Sequence, residues 1–172
     1  MRKVYCALLL AVLVISCSAA GMTWKRIRLT DAGTISIPQH WNVLAQDSSV
    51  IENAYGKGVS CRTLLSTQAS DALMAVLLYW PYSGDSAQKF ASDIAESLML
   101  RYGSKSRPTN SEMKIGVIRA STVTYRIDSE NDQKVTAFTH RGKTFCLVIT
   151  YRHSDEYRVS RLTRGILSRW QL

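Results

Sequence analysis

The sequence predicts an α+β domain, a mostly antiparallel β-sheet with two principal helices packed against it. Three observations carry this. Short alternating or apolar runs, punctuated by turn residues, fill the stretches before residue 81 and between residues 113 and 151. Amphipathic helical stripes follow Ser86 and Ser154. The helices stand after groups of strands and not between every pair, which separates an antiparallel α+β arrangement from repeated βαβ units.

Thr34–Ile37 alternates polar and apolar residues, as a half-buried strand does, and Pro38 ends it. Val59–Thr67 is a second strand, reached through the turn Gly56-Lys57-Gly58. Ala72–Trp80 is almost wholly apolar, suiting a central strand covered on both faces, and it stops at Pro81. Asp85 or Ser86 then caps a helix whose stripe is Ala87, Phe90, Ala91, Ile94 and Leu98. Gly103 stands where that helix needs a residue at positive φ. Strands over Lys114–Ala120, Thr122–Ile127, Lys134–His140 and Thr144–Tyr151 come next, the last two joined by Arg141-Gly142. Ser154 caps a final helix with Asp155 and Glu156 in its first turn and Val159, Leu162, Ile166 and Trp170 as its stripe.

Ahead of the domain the pattern changes. Arg2 and Lys3 precede an apolar run, Val4–Ile15, interrupted only by Tyr5 and Cys6, and small residues follow from Ser16 to Gly21. This is the layout of a secretory signal peptide. The run is about 12 residues, against the roughly 20 that a spanning helix needs. Val14-Ile15-Ser16-Cys17 resembles the bacterial lipoprotein lipobox, in which the cysteine sulfur takes the lipid and becomes the new N-terminus. The resemblance implies lipidation of Cys17, a membrane anchor, and, from the following Ser18, placement in the outer membrane facing the periplasm. Ordinary cleavage after Ala20, giving a soluble periplasmic or secreted protein, is the alternative. The expected organisation is residues 1–17 as signal, 18–32 as tether and 33–172 as one domain, with Trp24, Ile27 and Leu29 able to form an early extended segment.

Without Arg2 and Lys3 the chain carries 20 basic against 13 acidic residues, about +7, with no basic block. That charge suits anionic lipid head groups or an acidic partner, while export and the lack of an aromatic-rich basic motif exclude nucleic acid. Arg158, Arg161 and Arg164 step by three on the last helix, opposite its apolar stripe, and Arg169 follows. They form either a solvated face or a contact for anionic head groups. Trp41, Tyr79, Trp80 and Tyr82 concentrate the aromatics. Packing at strand ends is one reading, and a Trp80-Pro81-Tyr82 corner that anchors a partner is the other. With Cys6 in the signal and Cys17 used for lipid, Cys61 and Cys146 remain, as a disulfide or as two separately buried thiols.

Chemistry-bearing motifs are sparse. There is no Gly-x-Ser-x-Gly elbow, no phosphate-cradling glycine loop and no zinc-spaced Cys/His array. His40, His140 and His153 are scattered, and convergence of His140, Cys146 and His153 on a metal is a weak alternative to structural roles. Asp128, Glu130 and Asp132 alternate like the start of a calcium loop. Gln133 and Thr139 stand where an EF-hand needs Gly and Glu, so the segment reads as a solvated hairpin loop. No cofactor, metal or catalytic residue is expected.

The order of elements, with Ile35-Ser36-Ile37-Pro38 followed by Trp41, resembles the PsbP-like and DcrB-like envelope proteins over residues 30–172. The polar stretch 45–58 and the Tyr79–Tyr82 run depart from that pattern. The resemblance implies a PsbP-like α+β fold and a non-catalytic helper or accessory subunit of a membrane complex, with no motif residues to carry over. The expectation is a non-catalytic envelope lipoprotein that binds another envelope component. A small-ligand-binding periplasmic domain is the alternative, and a hydrolase with a dispersed site stands third.

Overall fold

Residues 22–29, 33–44, 60–66, 74–80, 86–140 and 142–171 are described in the computed structural model. Cys17, Tyr82 and the polar stretch 45–58 lie outside them, and Tyr79 and Trp80 are described in backbone only. Nine strands run through these residues: β1 (Trp24–Leu29), β2 (Gly33–Pro38), β3 (Asn42–Leu44), β4 (Ser60–Ser66), β5 (Met74–Trp80), β6 (Thr109–Ile115), β7 (Ile118–Arg126), β8 (Asn131–His140) and β9 (Lys143–Arg152). Helix α1 (Ala87–Tyr102) separates β5 from β6, and α2 (Glu156–Ser168) follows β9.

β3 to β9 form one antiparallel sheet in the order β3-β4-β5-β9-β8-β7-β6, and β1 pairs with β2 in a small sheet of its own. Strand alternation sends residues of opposite parity to opposite faces. Val123, Tyr125, Val135, Ala137, Cys146 and Val148 meet the buried stripe Phe90, Ala91, Ile94, Ala95 and Leu98 of α1. The other parity, with Phe138, Phe145, Leu147, Ile149 and Tyr151, meets Val159, Leu162, Ile166 and Leu167 of α2 together with Ile35 and Ile37 of β2 and the fully buried Trp41. Phe138 and Phe145 stack at 5.1 Å, and the Trp170 ring stands edge-on to both at 4.9 and 5.2 Å. Each fully buried side chain of this size contributes about 1.5–3 kcal/mol of gross transfer energy. The helices are therefore held by packing, one per face.

Local signals set the ends. The Ser86 hydroxyl accepts from the Lys89 amide at 3.2 Å, and Gly103, at φ 65°, closes α1 with its N–H directed at Leu100 and Met99. Three expectations are corrected. A single strand over Lys114–Ala120 is in fact two, folded back at Gly116 (φ 59°) so that Ile115 pairs with Ile118. The final helix begins after a 3₁₀ turn, His153–Asp155, so Ser154 lies inside that turn and is not its cap. β1 falls within the stretch read as tether, yet it pairs with β2, and its Trp24 ring is covered by the Arg169 guanidinium at 4.5 Å. The folded unit thus starts nearer Trp24 than residue 33.

The register also separates the two domain thiols. Cys61 and Cys146 are each paired with Leu78 on the strand between them, two strand spacings or about 10 Å apart, beyond the reach of a disulfide. Cys146 is a free, fully buried thiol among the residues facing α1.

Candidate functional site

The sheet face under α2 is apolar at one end and polar at the other. Residues of one parity on β7 and β8 make the polar end through directly opposed pairs: Thr122 with Thr136, Thr124 with Lys134, and Arg126 with Asp132. Thr109 and Ser111 of β6 extend the same rows, facing Thr124 and Thr122. The first turn of α2 adds Glu156 and Ser160, and the 3₁₀ turn adds His153. Together they enclose a cleft of about 600 Å³, open to solvent, with Met113 as an apolar patch in its lining.

Two ion-pair clusters stiffen it. Lys134 is only 5% exposed. Its Nζ donates to Glu156 Oε1 at 2.7 Å and to Ser160 Oγ at 2.7 Å, and it lies 5.9 Å from the Tyr151 ring centre. Ser160 Oγ also donates to Glu156 Oε1 at 3.0 Å, and the Tyr151 hydroxyl donates to Glu156 Oε2. Burial works to raise the Glu156 carboxyl, but the bonds from Lys134, Tyr151 and Ser160 outweigh it and hold the group below the usual carboxylate range. Burial first, and then the bond and charge of Glu156, push the Tyr151 phenol far above its ordinary value.

The second cluster sits at the mouth. Asp132, itself buried, receives Arg126 Nε at 3.2 Å on Oδ1 and stands 2.6 Å from His153 Nδ1 through Oδ2. Arg126 Nη2 approaches the same Nδ1 at 2.8 Å. One ring nitrogen serves one of these at a time: protonated it donates to Asp132, unprotonated it accepts from Arg126. Ser106 fixes the neighbouring strand, because its hydroxyl accepts from the Arg126 amide at 3.0 Å and donates to the Arg126 carbonyl at 3.1 Å. Arg107, next in sequence, is thereby placed at the rim with its side chain exposed.

The sequence-predicted residues fall as follows. Arg158, Arg161 and Arg164 are exposed on α2, opposite its buried stripe, with Arg161 set over the exposed Tyr157 ring at 5.9 Å. Trp80 pairs through its backbone with Thr144, while Tyr82 and Cys17 lie outside the described residues. Trp41 is core. His140 and His153 lie at opposite ends of the β8–β9 hairpin, with the Cys146 side chain buried on the α1 face, so the three do not converge. Among the described residues no group of three His, Cys, Asp or Glu has metal-binding proximity, and no helix is long and apolar enough to cross a membrane. Asp128 caps its own loop, accepting from the Glu130 and Asn131 amides, each at 2.8 Å. The Asn131 side chain and those two amides lower its carboxyl. The alternating carboxylates are therefore divided: Asp128 holds the turn while Asp132 enters the cleft. The cleft was missed at the level of sequence. Its one signal is Asp132-Gln133-Lys134, a polar run that starts a strand otherwise buried on both faces.

A sheet flanked by one helix on each face, with a two-stranded sheet beside the second helix, defines an α+β fold of the PsbP type. Cyanobacterial PsbP from Synechocystis superposes with a TM-score of 0.64 at 11% identity, over 90% of this chain and 95% of that one. The expected PsbP-like fold is thus present, and at that identity the likeness is one of fold alone. LpqN, described as involved in cell envelope biogenesis of Mycobacterium tuberculosis, matches with a TM-score of 0.40 and 10% identity, over 86% of this chain and 83% of that one. No protein-family model matches the chain, and no curated protein matches it.

Proposed function

We infer that this chain is a non-catalytic accessory module of the cell envelope, exported, tethered through lipid on Cys17, and acting by binding at the polar cleft. The observation that carries the binding role is how the cleft's own reactive groups are engaged. Lys134 and Ser160 lie 2.7 Å apart, the spacing of a Ser–Lys nucleophile pair. An ammonium that already donates to Glu156 has no lone pair with which to take the Ser160 proton. Asp132 is spent likewise on Arg126 and His153. Such a site is pre-organised to hold a ligand and poorly equipped to attack one.

A second contact is supported by the exposed face of α2. Tyr157 and Arg161, flanked by Arg158 and Arg164, suit an anionic membrane surface or an acidic partner, and the Trp80–Tyr82 segment is the other proposed partner contact. The test is co-purification of the tagged full chain from gently solubilised envelope, beside Cys17→Ala and Arg126→Gln variants, with palmitate labelling of each. Label lost only in Cys17→Ala, and a co-purifying component lost in Arg126→Gln, are the expected results. A component retained unchanged by Arg126→Gln would move the contact away from the cleft. Label that persists in Cys17→Ala would remove the anchor.

A further inference from the structure

We propose that the cleft between β6–β8 and the start of α2 takes a small organic anion, its carboxylate or phosphate held at the rim by Arg107 and Arg126 and its hydroxyls by the threonine and serine rows. This rests on the binding reading above and adds the chemistry of the ligand.

The argument is one of donors against acceptors. Both carboxylates facing the cleft are engaged on both oxygens: Glu156 by Lys134, Ser160 and Tyr151, and Asp132 by Arg126 and His153. The cations are not used up in the same way. A guanidinium has five N–H donors, and with the His153 Nδ1 hydrogen given to Asp132, Arg126 spends only its Nε, on the same carboxylate. Among the described residues Arg107 has no ion pair at all, although the Ser106 bonds to the Arg126 backbone fix its place at the rim. Three cations (Arg107, Arg126, Lys134) thus line the cleft beside two paired carboxylates. A group with lone pairs and negative charge complements that surplus. A cation would meet three like charges against two carboxylates that are already paired with them.

Along the sheet, the exposed Thr109 and Ser111 of β6 stand opposite Thr124 and Thr122 of β7, and Thr122 and Thr136 share a buried hydrogen bond at 3.1 Å. Hydroxyls on a pleated surface offer donors and acceptors at regular spacing, which suits a polyol better than an alkyl chain. The volume, about 600 Å³, falls within the range that holds a ligand of monosaccharide size with room for water. Burial of Lys134 and Asp132 holds the base of the site in place, so little ordering of those two side chains is required on binding.

The test is calorimetric titration of the full chain in detergent at low ionic strength with glucose 6-phosphate, glucuronate, inorganic phosphate and neutral glucose. Expected is saturable binding of the two sugar anions, weakened about tenfold by Arg107→Gln, as befits one charge-assisted hydrogen bond lost at an exposed residue. Stronger binding of the phosphate than of glucuronate would name phosphate as the source, and the reverse order would name carboxylate. Glucose binding as well as its anions, unaffected by Arg107→Gln, would overturn the anion inference while leaving a binding cleft. No binding of any probe to the folded protein would overturn it together with the small-ligand reading, leaving a macromolecular contact.

Discussion

Removing one partner from the Lys134–Glu156 pair should cost far more from one side than from the other. Lys134 is 5% exposed, whereas the Glu156 side chain retains 47% of its surface. Glu156→Gln leaves an ammonium that is largely buried, with a neutral carbonyl and Ser160 as its protein acceptors. Breaking a buried pair costs about 3–5 kcal/mol, and the two remaining neutral acceptors reduce this to about 2–3 kcal/mol. Lys134→Met keeps the stem packed on Tyr151 and leaves a carboxylate that water and the Tyr151 and Ser160 hydroxyls still solvate, so the loss is at most about 1 kcal/mol. Urea unfolding of the two variants beside the wild type measures this, with thermal midpoints as a check. For a chain of this size the larger loss is roughly 5–10 °C. Equal destabilisation by both variants, or a larger one from Lys134→Met, would refute the claim that burial of the lysine sets the energetics.

Three further outcomes follow from the same structure. Because the Glu156 carboxyl is depressed in the folded state, its contribution is present above the unfolded carboxylate value, near 4.5, and is lost as pH falls through the folded one; urea midpoints should drop on acidification, and less so in Glu156→Gln. Gly165→Ala places a Cβ 2.6 Å from the Trp24 ring, so it should destabilise by about 1 kcal/mol despite alanine's better helix propensity, yet stabilise in a Trp24→Ala background, a sign reversal that a double-mutant cycle detects. Cys146, buried and with its thiol pushed up by that burial, should resist iodoacetamide in the native protein and react on unfolding without any reductant, as peptide mass mapping would record.

The parts of the fold legible in sequence were those written in a single segment. Ser86, the stripe from Ala87 to Leu98 and Gly103 specify α1 from end to end, because cap, periodicity and positive-φ glycine all lie within one stretch. The β8–β9 hairpin was legible for the same reason. The turn at Gly116 is hard to see in sequence, because a two-residue hairpin preserves the alternation on either side of it. The cleft is a different kind of object. Thr122, Thr124 and Arg126 look like ordinary exposed alternation until the register sets them opposite Thr136, Lys134 and Asp132 and the helix start covers them. No single segment contains that information, and the 3₁₀ turn that aims His153 and Glu156 appears in the sequence only as a plausible cap.

The strand order has a temporal side. β9 (Lys143–Arg152) lies between β5 and β8, so it joins the early strands β3–β5 to the late ones β6–β8. A chain that emerges N-terminus first, from a ribosome or through a membrane pore, holds β5 without its inner neighbour until Lys143–Arg152 has come out. The helix that covers the β9 face follows later still. Such a polypeptide completes its sheet late, when β9 pairs with β5, a segment far back in the sequence. Nascent chains halted before Lys143 should therefore remain protease-sensitive across Ser60–Trp80, and chains released whole should not.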